Sequence, residues 1–223
     1  MAGRPPPAVE SPALLASLWG LTFTTGIVDA ASVLGLGHVF TANMTGNVVY
    51  LAFSLAGAGD LPMLAPLVSL AAFVAGAIVG GRLVRQASSV RRVLGWELLL
   101  LAIATGVAVR DPGGGVARYA VIAVLAAAMG LQNAAARRLG VPDLTTTVVT
   151  LTLTGLAADS SLAGGTDPRW ARRLLSVGLI LAGALVGAWL MRFGVAVVIG
   201  ASALGAAVAY GAHPRGAVLD PAK

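Results

Sequence analysis

Apolar residues occur along the chain in runs of about 20 with few charges, the length at which a helix spans the hydrocarbon core of a bilayer. Two further apolar segments, at 44–58 and 146–158, are shorter than a comfortable span. The pattern therefore predicts an all-α membrane protein. Its candidate full spans are residues 14–34, 64–84, 93–110, 117–136, 171–191 and 194–211.

The chain contains a diverged copy of itself. Residues 76–80 read Gly-Ala-Ile-Val-Gly, and residues 183–187 read Gly-Ala-Leu-Val-Gly. An earlier pair matches Gly-Ile-Val-Asp-Ala-Ala to Gly-Leu-Gln-Asn-Ala-Ala, at 26–31 and 130–135. Two related halves in an apolar chain are typical of transporters built around a pseudo-symmetric interface. We therefore expect one integral membrane domain, divided into a disordered leader at 1–12, a first repeat at 13–111, and a second repeat with a short tail at 112–223.

Composition excludes a soluble domain, because 57% of the residues are apolar and only 11% are charged, against roughly 25% charged in globular proteins. The mean hydropathy is +0.88. The net charge of +6 does not indicate nucleic acid as a partner, because the basic residues lie in short loops between apolar segments. The chain has no cysteine, and His38 and His213 lie far apart without nearby ligands, so we expect no metal and no cofactor.

The distribution of basic residues distinguishes two topologies. If all eight apolar segments cross the membrane, the fifteen Lys and Arg residues divide almost evenly between the two sides. If the two short segments enter and leave on one side, only Arg110, Arg118 and Arg192 lie outside, in agreement with the positive-inside rule. This predicts six full spans, two short re-entrant or broken helices and cytoplasmic termini. Three spans per half is an odd number, so the halves are inverted; eight spans with parallel repeats is the alternative.

Polar residues are concentrated at matching places in the two halves. Asp29 is the only acidic residue deep in an apolar segment of the first half, and a carboxylate there is costly unless solvated, paired or protonated. Unwound backbone at membrane depth is tolerated only against protein or a water-filled cavity. We therefore predict a solute-binding site lined by Asp29, Asn43, Thr45, Gly46, Asn47, Gln132, Asn133, Thr147 and Thr150.

Several of these residues also have a structural interpretation. Asn43 and Thr45 could cap a short helix, and the threonines of 145–154 could bond back to their own helix. Glu97 is interpreted as the partner of a local ion pair with Arg91 or Arg92. Two pairs of small residues allow close helix packing, either between the halves or across a homodimer. These pairs are Gly76/Gly80 and Gly183/Gly187.

The motifs at 26–30, Gly-Ile-Val-Asp-Ala, and 43–47, Asn-Met-Thr-Gly-Asn, resemble those of the bacterial YoaK-like membrane proteins, a family of unknown function. Members of that family have a Gly-x-x-Asp-Ala motif followed by a loop that ends in Asn-Met-Thr-Gly-Asn. The second half is similar to the family at 130–134 and in its threonine-rich segment. The resemblance covers nearly the whole chain after residue 12. It implies a multi-pass protein of the bacterial inner membrane and supplies no substrate.

These observations favour a small secondary transporter or permease for a small polar or anionic solute, coupled to a proton or another cation. Its site would lie at the bilayer midplane between the inverted halves. The second hypothesis is a membrane scaffold or assembly protein that transports nothing. An enzyme is not expected, because the sequence has no Ser-His, paired-carboxylate or His-Glu-x-x-His pattern.

Overall fold

The computed structural model describes residues 11–58, 62–87, 90–111, 115–140, 149–166 and 169–214. Six long helices in this part of the chain are apolar enough to cross a membrane, and two shorter apolar helices accompany them, which confirms the predicted fold class. The helices are α1 (Pro12–Gly35), α2 (Met44–Leu55), α3 (Leu64–Ala87), α4 (Val90–Arg110), α5 (Gly115–Leu139), α6 (Val149–Ala158), α7 (Trp170–Leu190) and α8 (Val195–Ala212).

Local sequence signals set several helix ends. Ser11 caps α1, because its hydroxyl accepts a hydrogen bond from the Leu14 amide at 3.2 Å, and Pro12 occupies the first helical turn. Gly37 and His38 turn the chain out of α1 with φ values of 95° and 57°. Gly194, with φ of 101°, separates α7 and its terminal 3-10 turn from α8.

Two apolar clusters occupy opposite ends of the helix bundle, and they give the direction of each long helix. Helices α1 and α4 begin in the first cluster, whereas α3, α5 and α8 begin in the second and end in the first. The first cluster includes Leu14, Leu18, Val84, Val90, Val93, Leu139 and Ala209. The second includes Ile27, Ala31, Ala65, Ala104, Ala108, Val121, Ile122, Val195 and Val198.

Helix α7 runs in the direction of α1, because Gly183 lies against Phe23 and Gly187 lies against Ala30. Corresponding helices of the two halves, α1 and α5, α3 and α7, and α4 and α8, therefore run in opposite directions. The halves are inverted, as the arginine distribution predicts. The segment between α1 and α3 begins and ends at one end of the bundle, and so does the segment between α5 and α7. Neither α2 nor α6 is a complete crossing, so the eight-span alternative does not fit the fold.

The two halves are intertwined. Helix α1 packs chiefly on α7 and α8, and α5 packs chiefly on α3 and α4. At each crossing a glycine lets two backbones meet: a Cβ atom at Gly26 would overlap the Ile180 carbonyl, and one at Gly130 would overlap the Phe73 carbonyl.

The two glycine pairs of the sequence also pack between the halves. Gly76 and Gly80 lie against Ala127 and Leu131, while Gly183 and Gly187 lie against α1. All four are covered by helices of the same chain. The interpretation that these pairs form a homodimer is therefore wrong, and the interpretation that they pack the two halves together holds.

The ends of the bundle differ in charge. The arginine-rich end, where α1, α4 and α7 begin, has Arg82, Arg85, Arg91, Arg92, Arg137, Arg138, Arg169, Arg172 and Arg173. The arginine-poor end has Arg110, Arg118 and Arg192. The boundary predicted between the repeats at 111 and 112, the leader and the C-terminal tail fall mainly outside the described residues, so the domain division stays a prediction.

Candidate functional site

The first half of the predicted site lies where α1 passes into α2. Asp29, on α1, is 8% exposed. Its Oδ1 accepts a hydrogen bond from the Ala42 amide at 3.2 Å, and its Oδ2 accepts one from the side-chain amide of Asn43. The carboxyl group therefore ties the loop at 36–43 back to the helix that precedes it.

Asn47 fastens the same loop from the other side. Its Oδ1 accepts from the Phe40 amide at 2.9 Å, and its Nδ2 donates to the Phe40 carbonyl at 2.6 Å. Ser69, on α3, donates to that carbonyl at 2.6 Å and accepts from Asn47 Nδ2 at 3.1 Å. Gly46 leaves space for the Phe40 ring, because a Cβ atom there would lie 2.6 Å from it. We call Asp29, Phe40, Asn43, Asn47 and Ser69 the α1–α2 junction.

The capping interpretation of this segment is wrong for Asn43. It stands at the N-cap position of α2 but makes no side-chain cap bond, because its amide is turned toward Asp29. Thr45 is exposed at the start of α2. The motif at 43–47 thus places two of its residues inside, Asn43 partly and Asn47 fully, and leaves Thr45 at the surface.

The second half of the predicted site lies on α5 and α6. Gln132 is fully buried, and its Nε2 donates to Thr25 Oγ1 on α1 at 3.0 Å. Asn133 donates to the Met129 carbonyl of its own helix at 2.8 Å. Thr150 is exposed, and its carbonyl accepts from Thr154 Oγ1 at 2.9 Å, which is the back-bonding that the structural interpretation expects.

The structure does not bring these residues to one place. Asp29 follows Ile27 and Val28 of the cluster at the arginine-poor end, whereas Gln132 and Asn133 lie between Leu131 and Ala135 of the cluster at the arginine-rich end. Gln132 contacts α1 at Thr25, one helical turn before Asp29, so the two motifs meet α1 at successive turns and share no described contact. Thr147 lies outside the described residues.

Glu97 is the residue that sequence reasoning misjudged. It is fully buried, and neither carboxyl oxygen has a hydrogen-bond partner among the described residues. The predicted ion pair with Arg91 or Arg92 is therefore wrong. Arg91 instead donates Nη1 to the carbonyls of Tyr210 and His213, each at 2.8 Å.

The direction in which Glu97 faces follows from its neighbours on α4. It belongs to a buried stripe with helical spacing, and the chief packing partners of α4 are α5 and α8 of the second half. The burial of Glu97 could have been predicted from this spacing, because every other member of the stripe is apolar. The stripe consists of Val90, Val93, Leu94, Glu97, Leu101, Ala104 and Ala108.

Glu97 and Gln132 lie at similar depth in the seam between the inverted halves. Each is about two turns, roughly 10 Å along its helix, from the arginine-rich end. Gln132 Oε1 likewise has no hydrogen-bond partner among the described residues. Buried acceptors without a donor are costly and uncommon in native proteins. We call Thr25, Glu97 and Gln132 the seam polar layer.

The fold and this layer define the class: a multi-pass α-helical membrane protein of two inverted, intertwined halves. A family model described as "Protein of unknown function (DUF1275)" matches residues 17–211, and the chain belongs to that family. The chain is 34% identical over 147 residues to the UPF0700 transmembrane protein YoaK of Bacillus subtilis (strain 168). That match covers 63% of this chain and 64% of the relative, less than two thirds of either. No solved structure matches. The resemblance expected from the motifs is confirmed.

Proposed function

We propose that the protein is a small secondary transporter that couples the movement of a small polar or anionic solute to a proton or another cation. The observation that carries this proposal is Glu97, a buried carboxyl group with no partner among the described residues, in the seam between two inverted halves. Ionisable residues at membrane depth are rare and mark ion or substrate pathways by default.

The fold supports this proposal because inverted repeats permit alternating access. In such transporters one repeat moves against the other around a site at their interface. Here every large interface of α1 and α5 is with the opposite half, so movement between the halves would change the surroundings of the seam polar layer. Glu97 would bind the coupling proton or cation, and Gln132 Oε1, at a similar depth in the seam, is a further acceptor that solute or ion could use.

The α1–α2 junction has a different part in this proposal. Its bonds fix the loop at 36–43 to three helices at the arginine-poor end, so it would close that side of the pathway. Opening would require breaking the bonds of Asp29 and Asn47, and solute would contact those side chains and Asn43 in passing. We place the protein in the bacterial plasma membrane, with the arginine-rich end facing the cytoplasm.

The test uses purified protein in liposomes that contain the pH indicator pyranine. A panel of small carboxylates, amino acids and phosphate is added outside, under an imposed pH or sodium gradient. We expect at least one solute to enter the liposomes, with a change of internal pH if the coupling ion is a proton and with uptake of labelled solute under the sodium gradient if it is sodium, and Glu97→Gln to abolish the uptake. Ser176→Ala, which removes a buried hydroxyl on α7 outside the seam layer, is the control and keeps the activity. If no solute moves under any gradient, or Glu97→Gln transports as the native protein does, the proposal fails.

A membrane scaffold is the second candidate, favoured by the hydrogen bonds that satisfy the α1–α2 junction from within the chain. Cysteine accessibility separates the two functions, because the native chain has no cysteine. Gln132→Cys places a thiol at a fully buried position of the seam polar layer, and Asp111→Cys is the exposed control. A transporter would let a membrane-impermeant thiol reagent reach position 132 from at least one side. Labelling at 111 with none at 132 would support the scaffold.

A further inference from the structure

An open groove of about 510 Å³ lies between α4 and α8 at the arginine-rich end. Gly95 on α4 faces the Tyr210 ring of α8, whose nearest atom would lie in ordinary van der Waals contact, at 3.6 Å, with a Cβ atom at that position. The lining residues are Arg91, Arg92, Gly95, Trp96, Leu99 and Tyr210, and none of them is acidic.

Arg91 forms a fixed positive wall of the groove. Its guanidinium carbon lies 3.9 Å from the centroid of the Tyr210 ring, and Nη1 binds two carbonyls at the end of α8. His213 stands behind it, with Nδ1 3.4 Å from Ser17 Oγ. Burial and the charge of Arg91 lower the pKa of His213 from its ordinary value, so the imidazole favours its neutral form. Among the described residues, no carboxylate pairs with the two cations of the groove, because Glu97 faces the opposite side of α4.

The lining changes in polarity along α4. Arg92 is exposed at the first turn, Trp96 is 52% exposed one turn further, and Leu99 is 46% exposed beyond it. Because α4 spans the membrane, this order runs from the aqueous boundary into the hydrocarbon. The charged side chain, the amphipathic ring and the aliphatic side chain therefore follow one another in the same order as the phosphate, the interfacial region and the acyl chains of a phospholipid.

We propose that this groove binds the headgroup phosphate of an anionic phospholipid in the leaflet at the arginine-rich end. Arg92 and the exposed edge of Arg91 contact the phosphate, Trp96 lies at the level of the glycerol, and an acyl chain follows Leu99. None of the residues that would contact the lipid belongs to the seam polar layer.

The inverted repeat explains why the site occurs in one leaflet. Arg91 and Arg92 correspond to Val198 and Ile199 in the second half, and both of those residues are fully buried on α8. The corresponding place on α8 in the second half therefore has neither the pair of basic residues nor the access. A lipid held at this place would contact both halves, since α4 belongs to the first and α8 to the second.

The experiment measures lipid retention by native mass spectrometry of the detergent-purified chain. Phosphatidylglycerol and phosphatidylcholine are titrated separately onto the native protein, Arg92→Gln and Arg85→Gln. Arg85 is the matched control, because it is exposed at the same end on α3 and its replacement removes the same charge. We expect phosphatidylglycerol to bind preferentially, and Arg92→Gln to weaken it about five-fold while Arg85→Gln leaves it nearly unchanged.

Two further arms identify the ligand. Inorganic phosphate at millimolar concentration competes only weakly if the acyl chain contributes, as proposed, and full displacement would mean that the groove binds phosphate rather than lipid. Phosphatidylglycerol with brominated acyl chains should quench the tryptophan fluorescence of the native protein more strongly than that of the Trp96→Phe variant. Equal retention of both lipids, or equal losses for Arg92→Gln and Arg85→Gln, would overturn the proposal.

Discussion

The two halves fasten their short helices with opposite chemistry. In the first half the carboxyl group of Asp29 and the amide of Asn47 bind backbone groups of the loop before α2. In the second half a cation acts between α6 and α7: Arg173 donates to the Gly155 carbonyl at 2.6 Å and pairs with Asp159 at 2.8 Å. The helical framework is shared, and the groups that secure it are not.

The difference follows the end of the bundle at which each short helix lies. The start of α7, with Arg173, belongs to the arginine-rich end, and the α1–α2 junction belongs to the arginine-poor end. Gly155 makes room for the guanidinium, because a Cβ atom there would lie 2.8 Å from its carbon. An inverted duplication can therefore conserve the glycine crossings, which lie inside the bundle, while the charges at each end diverge with the compartment they face.

The largest effect is expected where the halves are alike. Gly26→Ala and Gly130→Ala each place a methyl group against a carbonyl of the crossing helix, at α7 and α3 respectively. We expect each change to lower the free energy of unfolding by about 2 to 3 kcal/mol, and by similar amounts. Titration with sodium dodecyl sulphate, followed by tryptophan fluorescence, measures this.

Gly178→Ala and Gly106→Ala are the controls for the crossings, since a Cβ atom at either position meets nothing within 4 Å. Both should be neutral or slightly stabilising, because alanine has the higher helix propensity. A marked difference between Gly26→Ala and Gly130→Ala would show that the two crossings are not equivalent.

The next effect distinguishes the two halves of the predicted site. Asp29→Ala leaves the Ala42 amide and the Asn43 side chain without their acceptor, and we expect a loss of about 1.5 to 2.5 kcal/mol. Thr150→Ala changes an exposed side chain and should cost less than about 0.5 kcal/mol. The same detergent titration compares them. Equal losses would contradict the burial of the α1–α2 junction.

A smaller effect is expected at the α6–α7 contact. Arg173→Met keeps much of the buried aliphatic stem but removes the bond to the Gly155 carbonyl, at a cost of about 1 to 2 kcal/mol. Asp159→Asn should change stability by less than about 0.5 kcal/mol, because the Asp159 side chain is 55% exposed and its pair with Arg173 is partly screened. If Asp159→Asn is the more damaging, the ion pair rather than the carbonyl bond secures α6.

The smallest effect concerns pH. The folded state lowers the pKa of His213, so on acidification the unfolded chain takes up a proton before the folded one does. This contribution to stability is complete above the ordinary histidine pKa of about 6.5 and is lost as the pH falls below it. Thermal unfolding at pH 7.5 and 5.5, compared between the native protein and His213→Gln, measures it; the variant should show the weaker pH dependence. An identical dependence would mean that His213 is not buried against Arg91 and Ser17.

The amount that sequence could predict differs between fold and site. The lengths of the apolar runs predicted the spans to within a few residues at most ends, and the arginine distribution favoured the directions of the helices. Both properties depend on the bilayer rather than on packing. Asp29 and Asn47 were identified as buried polar residues, but their partners could not be: Phe40 and Ala42 contribute backbone groups, which no residue type reveals. Glu97 was misjudged because a pair of arginines close in sequence suggested an ion pair, while helical phase turns Glu97 inward and Arg92 outward.

The sequence by itself determined that this is a membrane protein of two related halves and favoured their inversion, since span length, charge bias and internal repetition are local or additive properties. Only the tertiary structure decided that the halves interlock through α1 and α5, and that the glycine pairs serve those crossings rather than a dimer. It also gave Asp29 and Gln132 different partners, the loop before α2 and Thr25, and left Glu97 in the seam. The physical reason is that packing partners depend on which faces meet in space, and a pattern along one chain gives the face of each helix without saying which helix covers it.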